Sequence, residues 1–190
     1  MQTLRTFIAI ELNKQTQFRI SEIQNNFKNL NVYLKLVEPK NIHLTLHFLG
    51  NLDISKIDSL NKKIPVIMKN IESFKIRPQG IGAFPNIKNP HIIWIGIKEG
   101  ATKLKDTQER VKNILNIIHI QTDSREFHPH LTIARVKSKE NGHILTKSLT
   151  ELEYFQFDEI LIGEITLFKS TLTPKGPTYE ILEKWKLGNP

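Results

Sequence analysis

The chain has no cysteine, which excludes disulfides, a thiolate nucleophile and a thiolate-ligated metal. No apolar stretch approaches the ~20 residues that a membrane-spanning helix needs. The one apolar run near the start, Phe7-Ile8-Ala9-Ile10, is too short for a signal peptide. A cytoplasmic protein with no membrane partner is therefore expected. There is also no run of five or more basic residues, although 27 Lys and Arg against 19 Asp and Glu leave a net charge of +8. That excess suits an anionic partner such as nucleic acid, nucleotide or phosphate, and it equally suits a solvated lysine-rich surface.

What is present is ordinary for a globular chain. With 190 residues, 39% apolar and 24% charged, there is material for one domain with a real core, or for two lobes. Arg5 to Leu12 reads as a strand, and Asn13 caps a following helix whose apolar stripe is Ile20, Ile23, Phe27 and Leu30. Val32 to Val37 is extended. Asn41 to Gly50 is a strand with Gly50 as its stop, followed by a helix marked by Ile57, Leu60, Ile64 and Ile67 with Pro65 near its end. Phe74 to Phe84 is a strand, and Pro85 to Pro90 a turn-rich connection.

The order then restarts. His91 to Lys98 is a strand, and Leu104, Val111, Leu115 and Ile118 form a helical stripe. Thr122 to Glu126 is a polar loop and His128 to Val136 a strand. Gly142 to Glu153 is a weaker helix, and Phe155 to Phe168 is strand-rich with a bend at Gly163. After a turn at Thr173 to Gly176, the chain ends in a hairpin strand with Tyr179, Ile181, Trp185 and Leu187 expected on one face.

The two halves repeat. Phe7-Ile8-Ala9-Ile10 matches Trp94-Ile95-Gly96-Ile97. His43-Leu44-Thr45-Leu46 lies 36 positions beyond Phe7, and His130-Leu131-Thr132-Ile133 lies 36 beyond Trp94. The unit is β-α-β-α-β, with repeats at about 4–85 and 91–172 and a terminal hairpin to 187. Two such halves are expected to pack about a pseudo-two-fold axis, much as subunits do in a symmetric dimer. In a strand, residues two apart share a face. Each motif thus offers an imidazole and a hydroxyl on one side and two aliphatics on the other. Two motif strands facing one another across a central cleft would give a pair of acid/base groups and a pair of hydroxyl donors, which suits a phosphodiester. The near-symmetry of the motifs leaves open which histidine is acid and which is base.

The chain resembles the LigT-like RNA 2′,3′-cyclic phosphodiesterases of the two-histidine phosphoesterase superfamily. The stretches that carry the resemblance are Arg5 to Ile10, Asn41 to Gly50, Gly82 to Asn86, Pro90 to Ile95 and His128 to Arg135. Leu167 to Ser170, and Gly176-Pro177 with Tyr179, complete it over nearly the full length. The resemblance implies an α+β bilobal fold in which two mainly antiparallel sheets form a central cleft with helices outside, as one domain over 1–190. It implies metal-free opening of RNA 2′,3′-cyclic phosphate ends to 2′-phosphates, with no cofactor, and in some members joining or cleavage of 2′-5′ linkages. It assigns His43 as proton donor and His130 as proton acceptor. A 2′-phosphate product then requires His43 to protonate the leaving O3′ while His130 activates water. Thr45 and Thr132 are placed on non-bridging oxygens, and so is Arg135, although strict alternation would take Arg135 off the His/Thr face.

Phe84, Tyr33 and Tyr179 are candidates for stacking on a base, with core packing as the competing role. His47 is expected on the face of His43 and Thr45, and His47 and His128 are expected beside the site or at the surface. A chain that carries its own pseudo-dimer is expected to be a monomer. Two other readings compete. A metal-dependent hydrolase would draw on His43, His47, His128 and His130, but neither motif contains a carboxylate, and ligands four apart suit a helix rather than a strand. A non-catalytic basic RNA-binding module would have no need of paired motifs.

Overall fold

A computed structural model of the chain describes residues 2–123, 125–138, 140, 142–174 and 176–188. Ser124 of the expected polar loop and Lys175 of the expected turn lie outside the described residues. The first strand, β1 (Thr3–Glu11), leads into helix α1 (Lys14–Lys28), where the Asn13 side chain accepts from the Thr16 N–H and caps the first turn. A short β2 (Leu34–Leu36) and a 3-10 turn at Pro39–Asn41 precede β3 (His43–Asp53), which runs on through Gly50 instead of stopping there. Helix α2 (Ile54–Met68) and β4 (Phe74–Phe84) complete the first half.

The second half contains β5 (Ile92–Glu99), α3 (Ala101–Ile117), β6 (His130–Val136), α4 (Gly142–Glu151), β7 (Ile160–Ile162) and β8 (Glu164–Thr173). The last strand is β9 (Gly176–Lys186). The helical stripes face the sheet: Ile20 and Phe27, Leu60 and Ile64, Leu104 and Leu115, and Leu145 and Leu149 are all buried.

The strands follow one path, β7-β4-β5-β6-β3-β1-β8-β9, with β2 on the free stretch of β6. Every strand pairing is antiparallel. The two expected sheets are the halves of this path. They join at one residue pair, Leu44 opposite Leu131. The motif strands therefore lie side by side at the centre. His43 and His130 stand 87 residues apart, as do Leu44 and Leu131, so the residues that meet at the junction are equivalents, as a pseudo-two-fold axis through that pair requires.

The halves of the sequence do not coincide with the halves of the sheet. β4, from the first half, pairs with β5, and β8, from the second, pairs with β1. Each lobe thus borrows strands from the other half, β4 and the short β2 in one and β8 with β9 in the other. Helices cover one face, on which Leu44, Leu46, Leu131 and Ile133 are buried as their alternation predicts. The sheet curls on its open face until the start of β9 meets the β2 region, where Asn41 Nδ2 donates to the Pro177 carbonyl.

Candidate active site

The two motifs use the same local device. A neutral imidazole donates from Nδ1 to the carbonyl two residues before it, at 2.8 Å to Asn41 for His43 and 2.6 Å to His128 for His130. A carbonyl can only accept, so each ring carries its proton on Nδ1 and keeps a lone pair on Nε2. Neither Thr45 nor Thr132 spends its hydroxyl on a partner among the described residues, and both are half-buried beside the histidines. Antiparallel pairing at Leu44 and Leu131 sets His43 beside Thr132 and Thr45 beside His130, a diagonal arrangement about the axis.

Aromatic rings set the position and protonation of the histidines. His43 stacks on Phe7 at 4.7 Å and meets the edge of Tyr179 at 5.2 Å, while Phe7 itself stacks on Phe168 at 5.1 Å. His130 has a lighter enclosure, with Phe84 edge-on at 5.2 Å and Trp94 at 6.5 Å. Burial disfavours the imidazolium. It holds His43 down to about 4, with the charge of His130 adding to the effect against the hydrogen bond to the Asn41 carbonyl. His130 is lowered as well, by burial first. Tyr179 is pushed up by burial, and the guanidiniums of Arg135 and Arg5 oppose that push.

Trp94 can lie where it does because residue 82 is glycine. A Cβ there would collide with the indole ring. A cavity of about 550 Å³ runs along β4, lined by Trp94 together with Gly80, Gly82, Asn86 and Lys88. It does not include the histidines.

Bulges decide which residues reach the open face. In β3, Ile8 pairs with His47 and Ala9 with Thr45, leaving Leu46 as an extra residue. One inserted residue reverses the alternation beyond it. His47 therefore turns to the helix side, where it is 4% exposed and donates from Nε2 to the Gln108 carbonyl at 2.8 Å. This corrects its expected place on the His43 face, and Phe48 takes the open-face position in its stead. β6 carries the matching bulge, since Ile93 pairs with Ala134 and Trp94 with Thr132, leaving Ile133 extra. The same reversal brings Arg135 back to the face of His130 and Thr132, which strict alternation denied it. A third bulge, at Leu182, separates Tyr179 on the open face from Trp185, which is buried and donates to Asn61 Oδ1 of α2. The expectation that these two share a face is therefore corrected.

The remaining candidates divide. Phe84 and Tyr179 contact the histidines, whereas Tyr33 is 70% exposed and away from them. The His128 side chain is at the surface, 3.5 Å from Glu126, and contributes to the site through its carbonyl. His43 and His47 point to opposite faces and cannot share a metal. Among the described residues, no three His, Asp or Glu side chains gather as a metal site would require. Sequence reading missed Phe7, Trp94 and Phe168 as supports of the histidines. Phe7 and Trp94 had stood only as anchors of the repeat.

The LigT like Phosphoesterase family model matches twice, over residues 10–94 and 95–179. The chain is 35% identical to an RNA 2′,3′-cyclic phosphodiesterase of Aquifex aeolicus, over 99% of this chain and all of that one. It is 35% identical to the protein of that name from Methanocaldococcus jannaschii, covering 96% of this chain and all of the relative. Its fold is similar to the crystal structure of TT0787 of Thermus thermophilus, with a TM-score of 0.79, 27% identity and coverage of 98% and 99% of the two chains. With both motifs intact on the central strands and a family match in each half, the chain belongs to the LigT-like phosphoesterase family.

Proposed function

We propose that the chain hydrolyses RNA 2′,3′-cyclic phosphate ends to 2′-phosphomonoesters, acting as a cytoplasmic monomer with paired-histidine acid/base catalysis and no metal. The observation that carries this reading is the matched pair of imidazoles, each locked through Nδ1 and with no partner on Nε2 among the described residues. The names of the full-length relatives support the substrate class. Their resemblance also supports the order of the histidines.

His130 Nε2 takes a proton from water as the oxygen attacks phosphorus. The P–O3′ bond breaks in line, and His43 Nε2–H protonates O3′. Thr45, Thr132 and Arg135 donate to the non-bridging oxygens as charge builds on them. Burial alone keeps His43 neutral in the free protein and makes it the weaker base, because its imidazolium is the more strongly disfavoured. An anionic phosphate against Nε2 offsets that burial, so the proton His43 needs arrives as substrate binds. A ribose 5′-hydroxyl in place of water gives a 2′-5′ linkage through the same groups.

The test is incubation with a nucleoside 2′,3′-cyclic phosphate in EDTA, with the product identified as the 2′- or 3′-phosphate. A 2′-phosphate formed at full rate is expected, with a loss of about 10²–10⁴ in kcat for His43→Ala and for His130→Ala. Wild-type turnover in both variants would defeat the assignment, and dependence on added metal would defeat the metal-free reading.

A further inference from the structure

The six arginines of the chain fall into two groups. Arg19, Arg77, Arg110 and Arg125 each pair with a carboxylate. Arg5 and Arg135 have no carboxylate partner among the described residues, and these two converge on one place. Arg5 lies two residues before Phe7 on the open face of β1, and the Ile133 bulge brings Arg135 to the same face of β6. Between them stands Tyr179, whose ring is 5.0 Å from Phe7 and 5.2 Å from His43. Both guanidiniums act on its hydroxyl. Lys35 of β2, paired opposite Arg135, adds a cation to the same rim.

The roles of the histidines give this cluster a direction. O3′ is borne by C3′, whose neighbour C4′ carries C5′ and the 5′ oxygen. O2′ is borne by C2′, whose neighbour C1′ carries the base. If His43 protonates O3′, the 5′ end of the nucleoside emerges on the His43 side of the scissile phosphate. The base emerges on the side of His130, Phe84 and Trp94. Tyr179 and Arg5 lie on the His43 side, one ring beyond it.

We propose that Arg5 and Tyr179 form a subsite for the phosphate 5′ to the terminal nucleoside, with Arg135 left to the scissile phosphate, so that the chain prefers the end of an RNA strand to a free nucleoside 2′,3′-cyclic phosphate. This rests on the function proposed above and on His43 as the donor to O3′. A guanidinium on a phosphate forms paired, charge-assisted hydrogen bonds, and the tyrosine hydroxyl adds a neutral donor.

The test compares cytidine 2′,3′-cyclic phosphate with its 5′-phosphorylated form. Wild type is expected to show kcat/KM about tenfold higher for the 5′-phosphorylated substrate, the equivalent of one charge-assisted contact. In Arg5→Gln the ratio is expected to fall to within about twofold of unity, and in Arg5→Lys to recover in part. Added salt should shrink the wild-type ratio. A wild-type ratio of one overturns the subsite alone. Equal loss on both substrates in Arg5→Gln, with the ratio unchanged, would instead place Arg5 on the scissile phosphate and overturn the subsite as well. Wild type that opens neither substrate overturns the proposed function together with it.

Discussion

Replacing His43 with glutamine isolates the electrostatic cost of burying that imidazole. In the unfolded chain His43 has the ordinary value of ~6.5, and in the folded protein it is held to about 4. As pH falls from 7.5, the unfolded state takes up a proton that the folded state refuses, so stability drops. The loss starts near pH 6.5 and is complete once pH is below the folded value. At pH 5.0 these two values correspond to a loss of ~2 kcal/mol, with ~3.4 kcal/mol as the limit at lower pH. His43→Gln removes this contribution while keeping a side chain that can donate to the Asn41 carbonyl.

Urea unfolding at pH 7.5 and 5.0, followed by tryptophan emission, gives four free energies. The variant is expected to lose ~2 kcal/mol less than wild type between the two pH values. The other titrating groups are present in both proteins and cancel, and so does any pH-independent cost of the substitution. Equal losses, within ~0.5 kcal/mol, would mean that His43 is hydrated in the free protein. The stacking on Phe7 and the edge contact from Tyr179 would then not control its protonation.

Three further outcomes are expected. Because both histidines are held neutral until an anion binds, the pH optimum of kcat/KM should lie below 6.5 and on the acid side of the optimum of kcat; coincident optima at or above pH 7 would contradict this. Gly82→Ala forces the Trp94 indole off its seat and is expected to cost about 1–3 kcal/mol, with a shift in Trp94 emission seen in a Trp185→Phe background. Gln24→Leu leaves the carbonyls of Val37 and Ile133 without the donor that now bonds both, at 2.7 and 2.9 Å. A loss of about 1–3 kcal/mol in urea unfolding is expected, together with a fall in kcat as the Ile133 bulge and Arg135 shift.

The elements and the paired motifs were legible because their signals are local. Asn13 caps, Gly163 separates β7 from β8, and alternation within His43 to Leu46 and within His130 to Ile133 sends each side chain to its observed face. What sequence reading missed depends on single inserted residues. The bulges at Leu46, Ile133 and Leu182 leave no mark in composition, yet they bury His47, return Arg135 to the site and part Tyr179 from Trp185. The roles of Phe7 and Trp94 were hidden for another reason. An aromatic in an apolar strand looks like core until the partner beside it is known to be a histidine. The exchange of β4 and β8 was also out of reach, because equal repeats fix the content of each half but not the strand beside which its last segment settles.

That exchange has a consequence for synthesis. When the first half leaves the ribosome, β1 has β3 on one side and nothing on the other, since its second neighbour, β8, begins at Glu164. β4 is likewise without β5 until the second half follows. Neither lobe can close until nearly the whole chain has emerged, so the protein cannot fold half by half. For most of its translation it exposes the open strand edges that favour mispairing with other chains. A fragment ending in the Asn86–Pro90 turn should accordingly be insoluble alone and become soluble only when the complementary half is made beside it.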